Sequence, residues 1–277
     1  MDKGKRRHFA TKSKAKVEGA LPSARPASRR IDRRTAQGCR RRLLSLSLQA
    51  YVLDPVFLLA SSLIAVHIFT MREILPGIFT WGSTYADRPW DLNGYAIALT
   101  GGTVLIDPPA PEEADWQKLP KPITTVVLTN RDHGRDAALF KTRYGAHIVA
   151  GKDEVPQFAP LTIDAVVQEG DLIGSALRVI HLPGKSPGEI ALYIGPAYHA
   201  ASRERGGILV LGDAIIGNPP GALGLIPEEK LDDPKTLRES LPKILDYQFE
   251  VLLLCDGQPV LHDAKRKVSE FLSQLAC

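Results

Sequence analysis

The stretch Thr129-Asn130-Arg131-Asp132-His133-Gly134-Arg135-Asp136-Ala137 crowds six side chains that bind metals, anions or protons into nine residues. An imidazole beside carboxylates can move a proton or hold a divalent ion, so Asp132 and His133 are the candidate catalytic pair of this loop. His133 reads equally as a general base, a metal ligand or a histidine that merely packs a loop. The apolar run Ile-Thr-Thr-Val-Val-Leu at 123–128 leads directly into it. A rigid strand that ends in such a loop delivers its side chains to the mouth of a sheet, a favoured place for chemistry.

The elements around this loop follow from periodicity and punctuation. Residues 74–83 (ILPGIFTWGS), 93–100 (NGYAIALT) and 102–109 (GTVLIDPP) are short apolar segments broken by Gly, Pro and Asn, and read as consecutive antiparallel strands. After the loop, residues 135–145 predict a short helix closed by Gly145, and 146–151 another strand. A second set of strands is read at 164–174, 177–184, 189–197 and 207–216. Leu237, Leu241, Ile244 and Leu245 share one helical face, as do Val268, Phe271, Leu272 and Leu275, with the buried strand VLLLCDG between them. Two β-rich halves, each completed by helices, predict an α+β protein with two sheets packed face to face and helices outside.

The charge is uneven. Residues 1–42 hold 15 of the 35 Lys and Arg but 3 of the 31 Asp and Glu, leaving 20 basic and 27 acidic residues in 71–277. The formal net charge of +4 therefore belongs to the tail, and a nucleic-acid function read from it would be misplaced. Cys39, Cys255 and Cys277 are odd in number and widely spaced, which excludes a disulfide framework and makes a reducing, cytoplasmic compartment the default. Residues 1–70 read as a basic N-terminal extension whose apolar segment, 43–70, is either part of a misassigned start or a membrane anchor. Its uncharged run from Pro55 to Thr70 falls short of the roughly 20 residues a spanning helix needs. The misassigned start is preferred, with the domain at 71–277. Membrane contact is expected only through 43–70.

Four segments in order, TVLIDPP, VVLTNRDHGRDA, HLPGKSPGEIALY and LVLGDAII with LLLCDGQPV, resemble the metallo-β-lactamase fold family, and the likeness covers 71–277. It implies an αββα sandwich with a metal site along one edge. The family's first-loop motif is Thr-His-x-His-x-Asp-His, and its ligand positions fall here on Asn130, Asp132, Gly134 and Arg135. The histidine of the Pro-Gly-His turn falls on Lys185, the bridging aspartate is kept as Asp213, and the final histidine is Asp256.

The resemblance thus implies hydrolase ancestry with most metal ligands replaced. Arg135 and Lys185 put positive charges where cations should sit, so they are expected to neutralise Asp132, Asp213 and Asp256 by ion pairing, or to anchor a substrate anion. Two functions follow. One is a metal-free small-ligand-binding or structural protein without a cofactor. The other is an atypical hydrolase of an ester, thioester or related small substrate, with one Zn, Mn or Mg ion on Asp132, Asp213 and Asp256, and His133 beside it. No phosphate loop, nucleophile elbow or zincin motif is present, and no specific nucleic-acid partner is expected.

Overall fold

A computed structural model describes residues 66–85 and 90–275. The basic extension, the apolar segment up to residue 65, Cys39 and Cys277 lie outside the described residues. Strand β1 (Val66–Leu75) turns at Pro76-Gly77 into β2 (Ile78–Tyr85). The segment read as one strand at 74–83 is therefore a hairpin, in which Gly77 takes the positive φ of 72° that the two-residue turn demands. Strand β1 also starts five residues ahead of Met71, so residues 66–69 pair with β2 and belong to the sheet.

Strands β3 (Asp91–Leu99) and β4 (Gly102–Ile106) extend the antiparallel run. Parallel β5 (Ile123–Leu128), β6 (His147–Gly151) and β7 (Ala165–Val167) complete a seven-stranded sheet ordered β1 to β7. The second sheet is ordered β12-β11-β10-β9-β8, from β8 (Leu172–Ile173), β9 (Leu177–His181), β10 (Ile190–Ile194), β11 (Ile208–Leu211) and β12 (Val251–Leu254).

Alternation decides how the sheets stack. Tyr95, Ile97, Val104 and Ile106 face the second sheet and meet Val179, Leu192, Val210 and Leu253. Their neighbours Ala96 and Leu105 face outward under Trp116 and Phe140, the latter from helix α1 (Ala137–Tyr144). On the far side, Leu209, Leu211, Leu252 and Leu254 lie under Leu237 of α3 (Pro234–Ser240) and Val268 of α4 (Ala264–Leu275). The period of two along each strand thus builds both the inter-sheet core and the two outer layers of an αββα sandwich. A further short helix, α2 (Ala200–Arg205), connects β10 to β11. Gly145 closes α1 in the left-handed conformation, as expected. The helical face from Leu237 to Leu245 is split: α3 ends at Ser240 and a 3-10 turn, Leu241–Asp246, continues it. Pro242 is the cause, because it lacks the N–H that an α-helix would use there. Among the described residues no helix is long and apolar enough to cross a membrane.

Candidate functional site

The loop after β5 leaves the sheet with Thr129 and folds into a 3-10 turn, Arg131–His133, whose N-cap is Asn130. The Asn130 side chain accepts the backbone N–H of Asp132 at 3.0 Å, which fixes where Asp132 and His133 point. Arg135 follows at a φ of +34°, a left-handed conformation uncommon for a residue with a side chain. Lys185 comes from the β9–β10 turn, Asp213 from the end of β11 and Asp256 from the end of β12. Both sheets therefore contribute. Asp132, His133, Arg135, Lys185, Asp213 and Asp256 line one cleft of about 710 Å³, walled by Trp90, Leu92 and Ile226. Glu229 and Lys230, from the 3-10 turn Glu228–Lys230, sit at its rim.

Asp213 bridges two cations. Its Oδ2 lies 3.0 Å from Lys185 Nζ and its Oδ1 lies 3.1 Å from His133 Nε2. Lys185, 1% exposed, also reaches Asp132 Oδ2 at 2.5 Å and Asn130 Oδ1 at 3.1 Å, so its ammonium is surrounded by oxygens of residues 130, 132 and 213. His133 Nε2 is also 3.6 Å from Asp256 Oδ1, and Arg135 Nη2 approaches the same oxygen at 3.2 Å. The Arg135 guanidinium is further held by the backbone oxygens of Asn93 (2.6 Å), Asp107 (2.9 Å) and Cys255 (3.3 Å). Trp90 donates its indole N–H to Asp256 Oδ2 at 2.8 Å.

Burial sets the electrostatics. Burial alone would raise the pKa of Asp213, but His133 and Lys185 outweigh it and hold the carboxyl far below the usual range. Burial likewise opposes a charged His133, yet Asp213 and Asp107 prevail over burial and the repulsion of Arg135, and its pKa is pushed up to about 10. Lys185 is raised in the same way, by Asp213 and Asp132 against desolvation. Asp256 is raised, by burial first and then by the Asp213 charge.

Three buried acids escaped the sequence reading. Asp107, at the end of the TVLIDPP segment, takes His133 Nδ1 at 2.7 Å and the Thr129 backbone N–H at 2.8 Å. Burial works against its charge, but the His133 charge holds its pKa low. Glu189 lies beneath Lys185 and accepts the Ala214 N–H at 2.9 Å; burial and Asp213 push its pKa up to about 8. Glu154 accepts the backbone N–H groups of Arg131 and Gly188. The signal for the first two was an acid abutting an apolar strand, Asp107 after Val-Leu-Ile and Glu189 before Ile-Ala-Leu. Two other histidines of the domain, His181 and His262, have partners outside this network. His181 meets the Pro187 carbonyl at 2.8 Å, and His262 lies 3.4 Å from Arg205 ahead of α4.

Residues 71–275 match a family model described as the metallo-beta-lactamase superfamily. Solved structures with similar folds include a metallo-beta-lactamase from Pontibacter korlensis, at 17% identity and a TM-score of 0.58 over 76% of this chain and 99% of that one. A beta-lactamase domain protein from Burkholderia ambifaria gives 16% and 0.55 over 74% and 76%, and a metallo-beta-lactamase family protein from Thermus thermophilus gives 18% and 0.53 over 74% and 81%. A comparison with curated proteins gave no match. At these identities the structures establish the fold alone, while the family model spans most of the chain. The αββα sandwich and the matched residues together place this chain in the metallo-β-lactamase superfamily.

Proposed function

We propose that the protein holds a small molecule in this cleft without a metal, its own side chains standing where the family places cations. The observation that carries this reading is the seat of Lys185 Nζ, among oxygens of Asn130, Asp132 and Asp213. These are three positions at which the family resemblance puts metal ligands. A metal there would have to displace a buried ammonium. Over the other half of the site the obstacle is Arg135, whose guanidinium is tied to three backbone carbonyls and cannot swing away without breaking those bonds. Zinc takes imidazole, carboxylate or thiolate donors, and here two of the corresponding positions carry cations and Gly134 carries no side chain. The residues present do not fit a two-metal centre.

The charge balance argues for the class of ligand. The cleft is lined by five basic residues, counting His133 as charged, and five acidic ones. Such a lining carries no net charge to favour an anion, so a small polar molecule without net charge is the occupant it suits. Asp132, with its side chain 64% exposed, and the Trp90 ring are the groups it would meet.

A second reading is favoured by one specific feature. His133 Nε2, Asp213 and Asp256 offer three donor atoms within 4.8 Å of one another, and Asp107 holds the far nitrogen of the ring as a carboxylate orients a metal-bound histidine. In that reading one divalent ion uses these three residues, Asp132 lies outside the donor cluster, and the protein is a hydrolase of a small ester or thioester.

Elemental analysis of protein purified without chelator separates the two. The metal-free reading expects no stoichiometric Zn, Mn or Mg, and no rise in melting temperature with micromolar Zn²⁺ or Mn²⁺. About one ion per chain, lost on Asp213→Ala, would overturn the metal-free reading and leave the single-metal one.

A further inference from the structure

Glu154 is fully buried, and the main chain consumes both of its oxygens. Oε2 accepts the N–H of Arg131 at 2.8 Å and Oε1 accepts the N–H of Gly188 at 2.8 Å. Arg131 opens the turn that carries Asp132 and His133, whereas Gly188 closes the turn that carries Lys185. These segments belong to different halves of the sandwich: one follows β5 of the first sheet, the other joins β9 to β10 of the second. The Gly188 turn also packs on the backbone that carries Glu154, and the two loops meet nearby where the Ile190 N–H donates to the Thr129 carbonyl at 2.9 Å. A Cβ on Gly188 would lie 2.5 Å from the Glu154 nitrogen, and one on Gly151 would lie 2.1 Å from the Gly188 oxygen. Glycine at both positions allows the approach, and the carboxyl group between the loops sets their separation.

We propose that Glu154 is the positioning residue that keys the Lys185 turn to the Asp132 loop, so that the Lys185 amine reaches Asn130, Asp132 and Asp213 together. The assignment stands apart from the metal-free reading, since either function needs the same register between the two loops. Metal content tests that reading; the seat of Lys185 tests this one.

The readout is the reactivity of the Lys185 amine in the folded full chain, measured by brief acylation with an N-hydroxysuccinimide ester and residue-resolved mass spectrometry. Lys235, with a side chain 86% exposed, is the internal reference, and the buried Lys185 of the parent reacts far more slowly. In Glu154→Ala, loss of both hydrogen bonds raises local opening, and Lys185 is expected to react roughly tenfold faster or more while Lys235 is unchanged. Glu154→Gln keeps one oxygen acceptor, gives a smaller rise, and carries the test if the alanine variant does not fold. Val268→Ala removes core packing where α4 meets the outer face of the second sheet, and should leave Lys185 as protected as in the parent. Folded Glu154 variants with parental protection at Lys185 would overturn the assignment, as would an equal loss of protection in Val268→Ala.

Discussion

At the scale of single residues the site is a problem in charge compensation. Asp213 accepts from Lys185 on one oxygen and from His133 on the other, so two buried cations share one carboxylate. Removing the ammonium leaves buried carboxyl groups short of a partner, a penalty on the order of 3–5 kcal/mol for a broken buried pair. Lys185→Ala is therefore expected to lower the melting temperature clearly. The double variant Arg135→His, Lys185→His would set two imidazoles beside the same carboxylates, and added Zn²⁺ is expected to stabilise it more than the parent. Thermal melts with and without metal check both; a neutral Lys185→Ala would defeat the ion-pair account. The pH dependence has a definite sign. The folded pKa of His133, about 10 against an ordinary 6.5, gives stability that is fully present below pH 6.5 and is lost as the pH rises towards 10. Glu189, at about 8 against 4.5, adds a fall between those two values because the fold retains a proton the unfolded chain releases. Melting temperature is thus expected to decline from about pH 6 to about pH 10, and His133→Gln should flatten the decline between about 8 and 10. In the sequence, Asp132, His133 and Arg135 were legible as a group because one loop carries them. Lys185, Asp213 and Asp256 were legible only through family register, since a lone Lys in a turn or an Asp after a strand looks like any surface residue. Asp107 and Glu189 were passed over because an acid abutting an apolar strand can equally be a turn cap, and only its burial in the fold separates the two.

Elements hold these residues at contact distance by leaving side chains out. Gly212 follows β11, and a Cβ there would lie 2.4 Å from Thr129 Oγ1, 2.9 Å from Glu189 Oε1 and 3.0 Å from Asn130 Nδ2. The strand end and the first loop fit together only because that atom is missing. Gly212→Ala should cost about 1–3 kcal/mol, the usual penalty for overpacking. Gly101→Ala, in the β3–β4 turn where a Cβ would meet nothing within 4 Å, should be close to neutral. Denaturant titration of the two variants checks the contrast, and equal losses would count against the steric account. Strand positions were legible because alternation and Gly or Pro punctuation are local. The hairpin at Pro76-Gly77 and the break at Pro242 were not. In both places the apolar pattern runs through the proline, and only the backbone, lacking an N–H there or turning on a glycine, interrupts the element.

For the whole molecule, the sandwich was legible because four segments in register fix which strand ends must converge, while the first strand's true extent was hidden in a composition that changes gradually. Val66, His67, Ile68 and Phe69 pair with Tyr85, Thr84, Ser83 and Gly82 on β2. Phe69 closes over the neighbouring strand, since a Cβ on Gly82 would come within 2.6 Å of its ring. A chain starting at Met71 forfeits these pairs, exposes the outer edge of β2 and uncovers the ring's place against Gly82. Residues 1–42, the basic part of the extension, have little apolar surface to contribute to a core. We therefore expect residues 66–277 to fold and melt cooperatively without the preceding 65, and residues 71–277 to fold with a melting temperature several degrees lower. Calorimetry of the two truncated chains beside the full one tests this. Equal melting of both would return the boundary to Met71, whereas aggregation of the 66–277 chain would show that the domain draws part of its stability from residues further upstream.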